Sequence, residues 1–207
     1  MALWYASAPS KMLNEEIDFI DDAIHATLHT STYALNRLTH DYVDDLTNEL
    51  ATAGGYTQGG VQLSTKTITT TVADSWGDQW AGTTAVEADY IVRPTTGNTF
   101  LYRVVVAGTT GGSEPSWPTV IGQTVSDGTV TWECVARAIV VIDCDPISWA
   151  DATFTGARYL VLSDRTPGTA ATQPLIGVID FGGDEDGQGG AFTVTPDDQG
   201  LLHFFVA

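Results

Sequence analysis

The sequence predicts an all-β protein: a β-sandwich framework with a short N-terminal helix and an inserted small β module. Three observations predict it. Hydrophobic residues make up 43% of the chain and charged residues only 16%, with 21 glycines, a balance that favours strands and turns over helix bundles. Short apolar runs of strand length recur between turn residues, as they do in a sandwich. The stretch from Trp76 to Cys134 differs from its flanks, holding four of the six tryptophans (Trp76, Trp80, Trp117, Trp132) among Gly, Pro and Thr. The expected division is 1–72 for the first half of the framework, 73–135 for the inserted module and 136–207 for the second half.

Taken in order, Pro9 followed by Met12, Leu13, Ile17 and Ile20 at near-helical spacing predicts an amphipathic helix over 9–20, beginning near Ser10. Ile24, Ala26 and Leu28 alternate with His25, Thr27 and His29, a half-exposed strand. Residues 36–46 read as a loop with a helical turn. The breaker run Gly54-Gly-Tyr-Thr-Gln-Gly-Gly60 feeds a Thr-rich strand over 61–72. Its apolar residues change parity between Val61 and Leu63 and the later Ile68 and Val72, which calls for a bulge or a passage between two sheets.

In the module, Phe100, Tyr102, Val104 and Val106 alternate along one strand, and Val130, Trp132 and Cys134 along another. Asp127-Gly128 supplies the tight turn before the second. Pro115-Ser-Trp-Pro118 cannot be a central strand, so Trp117 belongs on a rigid loop. A module of about 60 residues is at the low end of what one core stabilises. Beyond it, 139–142 and 159–162 are apolar on both faces, as buried strands are, followed by strands over 175–181, 192–195 and 201–206.

The 26 acidic and 8 basic residues give a formal net charge of -18. Such a surface repels DNA and anionic membranes, so neither is an expected partner. No apolar run approaches the ~20 residues of a membrane span. The N-terminus lacks a cationic region followed by an apolar core, so the chain reads as soluble and made in the cytoplasm. Cys134 and Cys144, with no further cysteine, cannot build a four-cysteine zinc site and read as buried free thiols.

Candidate chemistry is sparse. The acidic run Asp180-Phe-Gly-Gly-Asp184-Glu185-Asp186 could wrap a hard cation, but its spacing does not match a calcium loop, and a solvated loop is the simpler reading. Asp41, Asp44 and Asp45 read the same way. His25 and His29 on one strand stand about 13 Å apart, too far to share a metal. No nucleophile elbow, phosphate loop or distinct carboxylate pair stands out, so no catalytic residue, metal or other cofactor is assigned and the protein reads as a non-enzyme. The aromatics of the module allow a sugar-binding platform built from Trp76, Trp80, Tyr90 and Trp117. Against this, Trp117 and Trp132 could instead form the core of a module with few other large side chains.

Two sets of motifs carry a resemblance. In the module, Trp80, Val92 to Pro94, Tyr102, Gly108 to Gly111, Glu114-Pro-Ser-Trp-Pro118 and Asp127-Gly-Thr-Val-Thr-Trp132 together resemble a small β module that recurs in structural proteins of tailed bacteriophages. In the flanks, Thr39-His-Asp-Tyr-Val-Asp-Asp45, Gly54-Gly-Tyr-Thr57, Trp149-Ala-Asp-Ala-Thr-Phe-Thr-Gly-Ala-Arg-Tyr159 and Pro174-Leu-Ile-Gly-Val-Ile-Asp-Phe-Gly182 are similar to a family of small virion proteins of tailed phages, of the head decoration or minor structural type. The resemblance implies a non-enzymatic virion protein, a capsid decoration (cement) protein on the major capsid protein lattice or bound to other virion proteins. It implies a homo-oligomer, with a trimer favoured, and Leu201, Leu202, Phe204 and Phe205 are the interface candidates. A tail component (tube, tip or minor tail protein) and a glycan-binding adsorption module are the alternatives.

Overall fold

The computed structural model of the protein describes residues 2–197 and 199–206. Strands take up 44% of the chain and helical segments 7%, so the fold is all-β and sandwich-like. The chain forms two compact units: one from residues up to Thr67 together with Ile142–Leu202, the other from Ile68–Val141 together with the segment from His203. The expected division at 72/73 and 135/136 differs from this. The chain passes between units three times, within the strands Thr67–Val72, Ala138–Asp143 and Leu202–Val206, which form one sheet in the order Leu202–Val206, Ala138–Asp143, Thr67–Val72. That sheet brings the C-terminal strand to the second unit.

In the first unit a five-stranded sheet runs in the order Leu3–Trp4, Leu175–Glu185, Ala157–Asp164, Ile24–His29, Val61–Gln62, each neighbouring pair antiparallel. Ala157–Asp164 is central, and Leu160, Val161, Leu162 and Ser163 are all fully buried, as a strand covered on both faces requires. Ile24–His29 is buried too except at the half-buried His25, contrary to the half-exposed strand expected, and it pairs with Ala157–Asp164 on one side and Val61–Gln62 on the other. His29 is buried and bonds Thr27 and the Thr47 carbonyl through its two ring nitrogens, whereas His25 contacts the Gly59 carbonyl. One side of this sheet is covered by Tyr5, Tyr33, Leu35, Val43 and Leu46. A two-stranded sheet, Ile147–Ala152 with Gly190–Val194, carries an aromatic cluster of Tyr56, Trp149, Phe154, Phe181 and Phe192.

The N-terminal helix is shorter than expected, Ala8–Leu13. Glu15 adopts φ 61, the Glu15 and Glu16 amides donate to the Met12 and Lys11 carbonyls, and this left-handed cap ends the helix. No glycine marks the stop, so the sequence carries no signal for it. Ile17 and Phe19 are buried from the following turn instead. The expected 61–72 strand is two strands with a left-handed residue, Thr65 (φ 47), between them, and they belong to different sheets. The parity change therefore marks a passage between sheets.

In the second unit the main sheet runs Thr124–Asp127, Val130–Ala136, Leu101–Val106, Ile91–Arg93, Asp78–Gln79. The predicted hairpin is present, with Asp127 paired to Val130 and Gly128 at φ 62 in the turn. Burial alternates along Val130–Ala136, as the sequence pattern requires. One face packs Tyr102, Val104, Val130, Trp132 and Cys134 with Val86, Val92 and Phe100. A second cluster joins Ala73, Trp76, Ile91, Leu101, Ala136, Ile139 and Val141, with Phe205 against it. Cys134 and Cys144 are free and buried, and burial raises both thiols, Cys144 to about 12.

Candidate functional site

The most organised polar structure of the second unit is centred on Asp127. The tight turn puts this carboxylate at the end of the Thr124–Asp127 strand, with its side chain turned inward and 5% of the residue exposed. One oxygen accepts the indole N–H groups of both Trp80 (2.7 Å) and Trp132 (3.0 Å), and the other accepts the Gly111 amide (2.7 Å). Three donors thus converge on one buried charge, which is how such a group is tolerated away from water. Gly111 has no room for a side chain, since a Cβ would lie 2.8 Å from the same carboxylate.

Glu114 plays a parallel role on the Pro-rich loop. Its carboxylate accepts the Thr95 amide and the Trp117 indole N–H, both at 2.8 Å, and the Thr95 hydroxyl. Partial burial pushes its pKa up, but the hydrogen bonds from Thr95 and Trp117 outweigh that and hold it below the usual carboxylate range. Trp117 is thereby laid on Tyr102 (ring centroids 4.2 Å apart) and edge-on to Trp132 (5.8 Å). Tyr102 donates to the Pro118 carbonyl at 2.7 Å, closing the loop onto the sheet.

These contacts sort the four aromatics proposed as a platform. Trp76 lies in the second cluster with 7% of its surface exposed, edge-on to His203, and offers no face for stacking. Trp117 is half-buried and packed on the core, which resolves the alternative left open for it and Trp132 in favour of core. Trp80 and Tyr90 do both line one hollow of about 20 Å³, with the buried Val86, Val92 and Trp132 and with Gln79, Thr84 and Thr110. The volume admits one water- or methyl-sized group. Tyr90 is 37% exposed, and its hydroxyl donates to Asp78 at 2.7 Å. Burial, then the Asp78 charge, raises this phenol to about 12, so it stays a donor at neutral pH.

The interface candidates also separate. Leu201 and Leu202 are completely buried within the chain and present nothing to a second copy. They turn inward because Leu201 donates its amide to Ile142 and Leu202 packs its methyls on Gly177. Phe205 packs on the Trp76 cluster, and Phe204 is half-buried.

The acidic run is not the solvated loop expected: Leu175–Glu185 is one strand and includes Asp180, Asp184 and Glu185. Its carboxylates diverge. Asp180 pairs with Arg158 at 2.7 Å, and Asp186 caps the Gly156 amide. Asp45 accepts the Asp41 and Tyr42 amides, and these bonds lower its pKa. Among the described residues no group of three or more His, Cys, Asp or Glu converges on a common metal position. No helix among them is long and apolar enough to cross a membrane.

Sequence reasoning missed a buried carboxyl group in the first unit, near the part-exposed Asp22. Asp164 is 1% exposed; one oxygen accepts the Thr166 amide at 2.8 Å. The other has no hydrogen-bond partner among the described residues. Burial first, and the neighbouring Asp22 carboxyl after it, raise the Asp164 pKa against the Thr166 hydrogen bonds, which lower it. A folded-state pKa above the unfolded one makes the contribution fully present below the unfolded value, near pH 4, and lost as pH rises through the folded value. Asp164→Asn is neutral at every pH. The variant is expected to gain about 1–3 kcal/mol over the wild type at neutral pH and nothing near pH 4, as read from urea unfolding across that range. A wild-type-minus-variant difference that is flat with pH would show that the Asp164 pKa is not raised on folding.

Compared with protein-family models, with curated proteins and with solved structures, the chain matches none of them.

Proposed function

We propose that the protein is a non-enzymatic structural component of a tailed-bacteriophage particle, a decoration protein that lies on the major capsid protein lattice as a homo-oligomer, in the first instance a trimer. One observation carries the reading: the motif residues on which the resemblance rests are the ones that lock the second unit. Trp80, Gly111, Asp127 and Trp132 form one knot, and Glu114, Trp117 and Pro118 the other. The motif is thus a folding signature of a compact β module, and the resemblance follows the part of the sequence that builds it. The net charge of -18 supports docking on a basic partner surface and keeps free subunits apart before assembly. The test is fractionation of purified particles. The protein should remain on tail-free heads in fixed ratio to the capsid protein. Loss with the tails would transfer it to the tail, and absence from particles would end the reading.

A second reading, a glycan-binding adsorption module, is favoured by the hollow between Trp80 and Tyr90, whose rings are held in place by Asp127 and Asp78. Its floor fits a methyl-sized substituent, with the exposed part of Tyr90 left for a sugar face. Tryptophan fluorescence should then be quenched by host-surface glycans, and Tyr90→Ala should abolish the quenching. Absence of quenching by any surface glycan of the host removes this reading and leaves the first untouched.

A further inference from the structure

The strand Thr67–Val72 is the outer edge of its three-stranded sheet, and its sequence is Thr-Ile-Thr-Thr-Thr-Val. Five of its six residues are exposed, Ile68 by 47% and Val72 by 62%. An open edge presents unpaired backbone donors and acceptors, and proteins ordinarily blunt one with a charge, a proline or a bulge. None of these lies within this strand, which is made wholly of β-branched residues with high strand propensity.

The pattern around Thr70 says what fits there. In an antiparallel pair related by a two-fold axis through Thr70, Thr70 faces its own copy, Ile68 faces Val72, and Thr69 faces Thr71. The two exposed apolar side chains of each strand then cover those of the other. Lys66 just before the strand and Asp74 in the turn just after it set opposite charges at the two ends of an uncharged strand. The Lys66 ammonium bonds the Asp22 carbonyl and keeps two further donors; Asp74 is exposed and bonds the Thr99 amide through one oxygen. On a chain of net charge -18, where most surfaces of two copies repel, this segment is neutral and self-complementary.

We propose that Thr67–Val72 is a self-association edge, which pairs antiparallel with the same strand of a second copy in the register centred on Thr70. Two six-residue strands bury less than the ~1,200 Å² of a stable interface, so the pairing is reversible and becomes populated at high protein concentration or where copies are held side by side. The inference does not rest on the particle reading, since it concerns the protein alone in solution.

Sedimentation of the purified chain should show a monomer–dimer equilibrium in the high-micromolar range. Thr70→Lys, which sets two ammonium groups opposite each other at an exposed position, should weaken it at least tenfold with an unchanged circular dichroism spectrum. A wild type that is monomeric to millimolar concentration, or a Thr70→Lys variant that associates equally well, overturns the proposal. Register is tested by cross-linking. Directly opposed residues have Cα atoms about 4.5–5.5 Å apart, within disulfide range. Thr70→Cys should therefore form a covalent dimer on mild oxidation. Thr67→Cys, about 20 Å from its own copy in this register, should not. The wild type, with Cys134 and Cys144 buried, provides the background. Equal cross-linking at both positions, or none at 70, would sink the register and the proposal with it.

Discussion

Asp127→Ala is expected to unfold the Ile68–Val141 unit while the melting of the other unit is retained. The substitution leaves two indole N–H groups and the Gly111 amide without an acceptor, inside a cluster where Trp132 is fully buried. Hydrogen bonds to a charged group contribute about 1.5–3 kcal/mol each, and a buried donor left alone costs about 1–3 kcal/mol. The three losses are coupled, so they do not add, but a net destabilisation of about 4 kcal/mol or more follows. That is comparable with the whole stability of a small β unit. Four of the six tryptophans lie in this unit, so the transition reads directly as a red shift of emission at low denaturant. Limited proteolysis should then cut first between 78 and 133. Asp127→Asn retains one acceptor oxygen and should fall between the two. An alanine variant with wild-type emission and protease resistance would show that Asp127 is dispensable and that the tryptophans are held by packing alone.

Gly60→Ala should be the most damaging single-methyl change in the first unit. Gly60 adopts φ +68, and an added Cβ would lie 1.9 Å from the Ala26 carbonyl oxygen. Ala26 is fully buried in Ile24–His29, paired to Leu162 on one side and Val61 on the other, so its backbone has nowhere to move. Overlap with fixed backbone inside a close-packed sheet is expected to cost more than about 4 kcal/mol, the range reserved for core disruption. Gly59→Ala is the matched control. Gly59 is also left-handed (φ +92), but nothing lies within 4 Å of its Cβ position, so only the conformational cost of about 1–2 kcal/mol applies. Thermal unfolding of the two variants should therefore separate widely, with Gly60→Ala recovered mostly as insoluble protein. Similar melting temperatures for both would mean that the 54–60 segment is not seated against Ala26 as described.

The sequence made the strands legible wherever period-two alternation or a doubly apolar run was present: Val130–Ala136, Leu101–Val106, Ala157–Asp164 and Ala138–Asp143 all lie where the pattern places them. The Asp127-Gly128 turn was legible for the same reason, since a tight hairpin needs a left-handed residue. The readings that failed were those where the local pattern carried no signal or tertiary contacts overrode it. The helix stops at a non-glycine left-handed cap, the acidic run continues as a strand, and Leu201 and Leu202 turn into the chain's own core. The candidate site was half legible. Trp80 and Tyr90 were identifiable as candidate platform aromatics of the module, but the carboxylates that hold Trp80, Tyr90 and Trp117 gave no signal, because an isolated Asp or Glu in a chain with 26 of them does not stand out.

By itself, then, the sequence determined the all-β class, most strands and the Trp-rich module as a distinct stretch, because alternation, turn chemistry and composition act between residues close along the chain. Only the tertiary structure decided which tryptophans are core, which carboxylates are shared and which edge stays open. Those outcomes depend on contacts such as that between Trp80 and Asp127, 47 residues apart, where burial is set by whatever the fold brings alongside.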